Sequence, residues 1–171
     1  QVDLAFEDRR LTIRGHRSDR AGAGDVLHFH QVERGSGSFT RTFEFADKIE
    51  ALVMGNVIQA GVKMNPARQA GIAAGLPVEV PALSVNRVCG SGAQGVASAA
   101  LEIWAGMIDC AIAGGMENMD RAPYLLPQGR WGARMGDITA FDSMLYDGLN
   151  DAFSGKHSGW HTEDLVLKNS I

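Results

Sequence analysis

The spacing of hydrophobic residues differs between two parts of the chain. From residue 47 onward, short apolar runs alternate with stretches of helical spacing, which is typical of a layered α/β fold. Before that point, neither helical nor strand-type spacing persists for long. We therefore expect an atypical, irregular or poorly ordered segment over 1–46, in which short runs such as 26–30 could be strands, followed by an α/β fold.

The α/β part predicts three strands and two helices before residue 116. Strands are expected at 49–57, 80–86 and 109–115, and helices at 65–75 and 93–105. The last strand is apolar throughout, which predicts burial on both faces. Asn65 followed by Pro66 predicts a helix start, because the Asn side chain can cap free N–H groups and Pro sacrifices no hydrogen bond at the first position.

Periodicity changes after residue 115. Residues 116–140 are rich in Gly, Pro and Met and predict a long loop. Apolar residues then recur at three- and four-residue steps, which predicts a helix over 141–153. The apolar face of that helix would consist of Phe141, Met144, Leu145, Leu149 and Phe153.

The composition is that of an ordinary globular protein, with 45% hydrophobic and 21% charged residues among 171. Its net charge of -4 provides no basic field for nucleic acid or an anionic membrane. No apolar run approaches the roughly 20 residues of a membrane helix. The start at Gln1 shows no signal pattern, so we expect a cytoplasmic location, with mitochondria and peroxisomes left open.

The two cysteines, Cys89 and Cys110, are too few for a disulfide scaffold and fit a reducing compartment. No cysteine or histidine pair has metal-ligand spacing. His28 and His30 alternate like one face of a strand, but no cysteine or carboxylate cluster accompanies them. We therefore expect no metal site.

Segment 86–92 carries the candidate chemistry, because a predicted strand ends there and a helix begins, with Cys89 at the junction. The partial positive charge of a helix N-terminus favours a thiolate, and its free N–H groups can hold an oxyanion. Gly90 and Gly92 leave room for a bulky thioester. The pattern alone leaves two interpretations open, a cysteine nucleophile and an inert small hydrophobe, and we favour the second for Cys110.

Several stretches, in matching order and spacing, make residues 48–171 resemble the N-terminal part of the thiolase family. They are GNVIQAG at 55–61, NPARQ at 65–69, NRVCGSG at 86–92, AGGMENMDRAPY at 113–124 and RWGARMGD at 130–137. The resemblance implies a thiolase-like layered αβα fold, with an N-terminal α/β domain at 47–120 and the start of a loop domain at 121–171.

The resemblance also implies a role for Cys89 as the residue that becomes acylated, with its own backbone N–H contributing to an oxyanion hole. Acyl-CoA thioesters would be the substrates, no other cofactor is implied, and family members assemble as dimers or tetramers. A second acetyl-CoA carbanion would attack the acyl-enzyme, or the reverse reaction would cleave a 3-ketoacyl-CoA. Glu117 is expected to support a turn rather than to act as a base.

This chain departs from the family pattern at both ends. Family members open with a strand, an Arg-Thr-Pro turn and a helix, whereas 1–46 contains seven arginines and no lysine. A shifted reading frame and an unrelated fusion are both open explanations. The histidine and second cysteine of the family's C-terminal half have no counterpart before Ile171. We therefore expect the first strand and the C-terminal half to be missing, and catalysis to be incomplete.

The last family-like stretch matches less closely. His157 matches the family, but Ser158 stands where Met is usual and His161 where Thr is usual. The resemblance makes His157 and Ser158 candidate residues of the acyl and CoA pocket, and Ser in place of Met would make that pocket roomier and more polar. A solvated helix start is the alternative interpretation.

Two further functions compete with an acyltransferase. One is a non-catalytic module of thiolase lineage that binds acyl-CoA or a partner chain. The other is a ketoacyl-synthase relative, which would take acyl chains from a carrier protein; the NRVCGSG and GGMENM stretches favour thiolase over this one. Because missing segments would leave apolar surface uncovered, we expect the chain alone to be marginally stable or aggregation-prone.

Overall fold

The computed structural model describes residues 2–7, 10–17, 37–44 and 48–169 and shows a mixed α/β protein. Its strands are β1 (Val2–Glu7), β2 (Arg10–Arg17), β3 (Gly37–Glu44), β4 (Ala51–Gly55), β5 (Ala82–Val85), β6 (Ala111–Gly115), β7 (Tyr124–Leu125) and β8 (Phe141–Asp142). Its α-helices are α1 (Pro66–Ala73), α2 (Ser91–Trp104) and α3 (Ser158–Asn169). Two 3-10 helices, Met119–Arg121 and Pro127–Arg130, and a π-helix, Met144–Leu149, lie between β6 and α3. The loop expected at 116–140 therefore contains short regular elements.

A parallel sheet in the order β5–β4–β6 forms the centre of the 48–169 part. Ala51, Leu52 and Val53 of the middle strand are buried, because both edges of β4 are paired. All three predicted strands are present, each shorter than expected. The expected burial of the third strand on both faces is wrong: β6 is half-buried, and among the described residues it pairs with β4 alone.

Helices α1 and α2 lie on opposite faces of this sheet. Leu52 and Val53 are neighbours in β4, so their side chains point to opposite faces. A Cβ added to Gly71 of α1 would lie 2.9 Å from Leu52 Cδ2. Gly55 shares the face of Val53, and a Cβ there would collide with the Ser91 backbone at the start of α2. Glycine at this position therefore lets α2 begin directly against the sheet.

The predicted helix signals are confirmed at both helices. Asn65 caps α1, since its Oδ1 accepts from Arg68 N at 3.2 Å, and Pro66 occupies the first helical position. Helix α2 begins at Ser91, two residues earlier than expected. It is followed by Gly106 with a φ of +69°, a conformation that glycine adopts readily after a helix.

The described residues within 1–46 form an antiparallel sheet in the order β1–β2–β3, so the expectation of an irregular segment is wrong there. The registers place Phe6 opposite Leu11 and Leu11 opposite Phe43, so apolar residues of the three strands share a face. Strand β1 alternates apolar residues with charged or small ones by itself, whereas Arg, Thr and Gly interrupt β2 and β3, so the agreement of all three strands is evident only after pairing. The strand expected at 26–30 lies outside the described residues.

Phe6 joins this N-terminal sheet to the core of the α/β part. Its side chain packs against the buried cluster formed by Ile49, Leu52, Leu76 and Val80. Its backbone N–H donates to Ala74 O, just after α1. Because Leu52 faces the same side as α1, the N-terminal sheet covers part of the sheet face on which α1 lies.

The helix expected over 141–153 is wrong. Phe141 lies in β8, a π-helix spans Met144–Leu149, and Phe153 is 99% exposed instead of sharing an apolar face. Ser143 is buried, and its hydroxyl donates to a carbonyl in the loop before β7. This anchor fixes the chain just before the helical turns and overrides the helical spacing of the apolar residues.

Candidate active site

Cys89 lies in the turn between β5 and α2, and its side chain is exposed. It borders a cleft of about 330 Å³. The ends of β4 and β6, the start of α2 and the π-helix all contribute to the walls, which include Val57, Ile58, Gly92, Met116, Met119 and Leu149. The predicted strand–helix junction therefore opens onto a mostly apolar cleft.

The turn that carries Cys89 is strained at the preceding residue. Val88 has a φ of +48°, a left-handed conformation that β-branched residues rarely adopt and that costs about 1–3 kcal/mol. Gly90 N donates to Arg87 O and Ser91 N donates to Val88 O, both at 3.0 Å. The chain thus reverses sharply between strand and helix, with the Cys89 thiol left exposed.

Two side chains bridge this turn. Asn86 Oδ1 accepts from Val88 N at 2.9 Å, and Asn86 Nδ2 donates to Val57 O at 3.3 Å. Ser91 is buried, and its Oγ accepts from Arg87 N at 2.8 Å and donates to Val88 O at 2.6 Å. Sequence reasoning gave neither side chain a role, because both act on backbone groups that only the folded turn brings within reach.

The two candidate glycines occupy different places at the start of α2. Gly92 lines the cleft, whereas Gly90 is the N-cap residue and lies outside the lining. The first N–H groups of a helix lack internal partners and carry partial positive charge. Among the described residues, no side chain caps α2. Backbone donors of the helix start therefore lie beside the cleft that Cys89 borders.

The Glu117 carboxylate holds the floor of the cleft together. It accepts from Val57 N at 2.7 Å, from Ile58 N at 3.3 Å and from Asn56 Nδ2 at 3.1 Å. These donors follow β4 and Glu117 follows β6, so the carboxylate joins the exits of two neighbouring parallel strands. Glu117 therefore has a structural role. Its hydrogen-bond partners lie about 60 residues away in the chain, so local residue spacing does not predict them.

Asn56 adds a polar group to this otherwise apolar floor. It is 4% exposed, and its Nδ2 also donates to Met116 O at 3.0 Å. Because the amide nitrogen faces two acceptors, the orientation of the amide is fixed. Its Oδ1 is buried without a hydrogen-bond partner among the described residues. Such an acceptor costs free energy, so Asn56 is present at the expense of stability.

The two candidate pocket residues near the end of the chain lie away from this cleft. Ser158 begins α3 and lines a second cleft of about 870 Å³, which shares Val88 and Leu149 with the first. His157 lines neither cleft, and its Nδ1 accepts from Gly159 N at 3.0 Å. Both residues are exposed at the start of the helix.

His161 borders the second cleft beside an acidic turn. Its Nε2 lies 2.7 Å from Ser154 Oγ and 3.8 Å from Asp151 Oδ1. Hydrogen bonds from the backbone and side chain of Ser154 lower the pKa of Asp151 below 3.8; burial raises it, while the Phe153 N–H and the His161 charge lower it further. These donors keep Asp151 anionic beside His161.

Within 2–7, 10–17, 37–44 and 48–169, no group of three or more His, Cys, Asp and Glu residues could hold a metal ion. His28 and His30 fall in the gaps between these ranges. None of the helices in these ranges is both long enough and apolar enough to cross a membrane.

A family model matches most of the chain. Residues 44–171 match the model described as the N-terminal domain of thiolase. The match begins at the last residue of β3 and includes the parallel sheet, the Cys89 turn and α3. The chain therefore belongs to the thiolase family, which confirms the resemblance seen in the sequence.

Curated relatives carry matching names. An acetyl-CoA acetyltransferase of Cupriavidus necator is 46% identical over 125 residues, which cover 73% of this chain and 32% of the relative. One from Pseudomonas aeruginosa is 47% identical over 126 residues, 74% of this chain and 32% of the relative. A probable acetyl-CoA acyltransferase of Staphylococcus aureus is 47% identical over 124 residues, which cover 72% of this chain and 32% of the relative. The chain thus spans about a third of the length of these relatives.

Proposed function

We propose that this chain carries the nucleophile part of a thiolase-type active site, in which Cys89 takes up an acyl group from an acyl-CoA. The observation that carries the proposal is an exposed thiol at the start of a helix, bordering an apolar cleft, in a chain of the thiolase family. Relatives named as acetyl-CoA acyltransferases support acyl-CoA as the substrate class.

In the first step, the Cys89 sulfur attacks the thioester carbonyl, forming a new S–C bond and a tetrahedral oxyanion. The Cys89 N–H and the free N–H groups of the helix start, beside Gly92, are suited to stabilise that oxyanion. When the oxyanion collapses, the bond to the CoA sulfur breaks, and CoA leaves as a thiol after taking the proton originally on Cys89. One thioester replaces another, so the acyl transfer to Cys89 needs little driving force.

The second step is a Claisen condensation with a second acetyl-CoA, or in reverse the thiolytic cleavage of a 3-ketoacyl-CoA. It requires a group that removes a proton from the acetyl methyl carbon. By resemblance to the family, that group and the second cysteine lie in the family's C-terminal half. The proposal for residues 48–171 is therefore limited to the acyl-transfer step.

The remaining site residues have supporting roles in this proposal. Gly90 is the N-cap residue of α2, and Gly92 keeps the cleft wall free of side chains where the thioester approaches. Ser158 lies in the second cleft, which adjoins the first through Val88, and this position suits contact with the acyl-CoA. His157 would reach the same ligand from the start of α3.

The proposal extends from the site to the fold, the assembly and the location of the protein. Helices on opposite faces of a parallel sheet are what the layered αβα fold of the thiolase family requires. A homo-oligomer and a cytoplasmic location are proposed with it, and no cofactor beyond the CoA thioester is invoked. The second candidate is a non-catalytic acyl-CoA-binding module of thiolase lineage, in which Cys89 borders the cleft without becoming acylated.

Intact-mass spectrometry after incubation with acetyl-CoA tests the proposal. We expect one acetyl group on the wild-type chain and on the control variant Cys110→Ala, and none on Cys89→Ala. No adduct on the wild-type chain, with acetyl-CoA binding retained, would indicate the non-catalytic module. Transfer from acetylated acyl carrier protein but not from acetyl-CoA would indicate a ketoacyl-synthase relative.

A further inference from the structure

We propose that Asn86 and Ser91 are positioning residues that hold Val88 in its left-handed conformation and thereby aim the Cys89 thiol at the cleft. This inference rests on the proposed function of Cys89. Neither side chain is assigned contact with the substrate, and both act through the backbone of the turn.

The two peptide groups on either side of Val88 are held by different side chains. The Val88 N–H is fixed by Asn86 Oδ1 at 2.9 Å. The Val88 carbonyl accepts from Ser91 Oγ at 2.6 Å and from Ser91 N at 3.0 Å. Rotation about the N–Cα bond of Val88 changes the relation between these two groups. The paired hydrogen bonds therefore oppose the relaxation to negative φ that a β-branched residue prefers.

Both side chains are themselves anchored outside the turn. Asn86 Nδ2 donates to Val57 O, and the N–H of that same Val57 donates to Glu117. Ser91 is 4% exposed, its Oγ also accepts from Arg87 N, and its backbone lies directly over Gly55 of β4. The strained turn is thus fastened to the ends of the sheet, and neither side chain is free to follow it if it relaxes.

The consequence concerns the direction of the thiol more than its accessibility. Relaxing Val88 rotates the peptide that leads into Cys89 and moves the sulfur relative to the helix start. An exposed thiol still reacts with a small alkylating reagent after such a change. Acyl transfer requires the sulfur, the thioester carbonyl and the oxyanion donors in one arrangement, and a displacement of about 1 Å costs about 100-fold in rate.

The first experiment measures the backbone of Val88 without any acyl donor. NMR cross-correlated relaxation, which distinguishes positive from negative φ, is applied to the wild-type chain and to Asn86→Ala and Ser91→Ala. We expect positive φ in the wild-type chain and its loss in both variants. Ser91→Thr keeps the hydroxyl that holds the Val88 carbonyl, so this variant should retain positive φ.

Ser98→Ala is the matched control, because Ser98 is in the same helix and its hydroxyl accepts from Gln94 Nε2 at 3.1 Å, away from the turn. It should leave the φ of Val88 unchanged. If Val88 keeps positive φ in both alanine variants, or has negative φ in the wild-type chain, the inference is overturned. Since this measurement needs no acyl-CoA, it does so whether or not Cys89 accepts an acyl group.

The second experiment compares two reactions of the same thiol. For Ser91→Ala, we expect acetylation of Cys89 by acetyl-CoA to slow by about 10- to 100-fold, while alkylation by iodoacetamide changes by less than about threefold. The half-buried Cys110 reports general loosening within the same molecule. Equal slowing of both reactions, or faster alkylation of Cys110, would mean that Ser91 is merely structural. A wild-type chain that is not acetylated contradicts the proposed function instead, and the first experiment still decides the positioning role.

Discussion

At the residue scale, the cleft depends on one carboxylate that takes no part in the proposed chemistry. Glu117 accepts three hydrogen bonds from residues that follow β4, two of them from backbone N–H groups. One of those N–H groups belongs to Val57, whose carbonyl in turn accepts from Asn86 in the turn that carries Cys89. The end of β6 is therefore linked to the nucleophile through two side chains and one backbone residue.

Replacing Glu117 with Gln tests that link. A glutamine offers one acceptor oxygen and one NH2 group, so at least one of the donors now paired with the carboxylate is left facing another donor. We expect Glu117→Gln to lower the free energy of unfolding by about 1–3 kcal/mol, measured by urea denaturation. The exposed Glu163→Gln in α3 is the control and should change it by less than about 0.5 kcal/mol. Equal effects of the two substitutions would contradict the linking role.

At the residue scale, sequence reasoning reaches the position of Cys89 at a strand–helix junction and the Asn65 cap because each signal is local, whereas the expected role of Cys89 as nucleophile comes from the resemblance to the thiolase family. A capping side chain acts three residues away, and the strand–Cys–Gly–helix junction is continuous in the chain. The same reasoning misses the partners of Glu117, which lie about 60 residues earlier. Nothing in the spacing of the chain specifies such contacts before the parallel strands are paired.

At the element scale, the N-terminal sheet differs most from what the sequence predicts. Its three strands place apolar residues on one face, and Phe6 on that face packs against the core beside α1. Strands β2 and β3 are difficult to detect one at a time because arginines and glycines interrupt them. Conversely, the helix predicted over 141–153 fails because helical spacing does not reveal the buried anchor at Ser143.

Phe6→Ala tests whether the sheet stabilises the α/β part. Phe6 packs on the core cluster, so we expect truncation to lower the free energy of unfolding by about 2 kcal/mol, below the usual range for a fully buried Phe because Phe6 is half-buried. Phe43→Ala is the matched control, because Phe43 lies on the same face of the sheet but is 50% exposed. Urea denaturation followed by tryptophan fluorescence gives both values. A larger loss for Phe43 than for Phe6 would show that the sheet does not rest on the core through Phe6.

At the scale of the whole molecule, the family match and the N-terminal sheet meet at residue 44. The shifted-frame and fusion explanations for 1–46 both remain predictions about the coding DNA. Resequencing that DNA tests the shifted frame, and an intact reading frame shared by close relatives would contradict it.

Apolar surface on α2 leads to a prediction about the behaviour of the whole chain. Val96, Leu101 and Trp104 are 55%, 57% and 80% exposed on α2, whose buried residues are Ser91, Gly95 and Ala99. Exposed apolar residues of this size on one element favour association.

We expect the chain alone to self-associate at micromolar concentration, as measured by light scattering. The double substitution Leu101→Lys with Trp104→Lys should reduce the association at least severalfold. Placing the same two lysines at the exposed neutral positions Thr162 and Asn169 of α3 controls for the change in net charge, since it adds the same positive charge without removing apolar surface from α2. A wild-type chain that is monodisperse and melts cooperatively would show that the exposed face of α2 does not drive association, and that the described core is sufficient for a stable monomer.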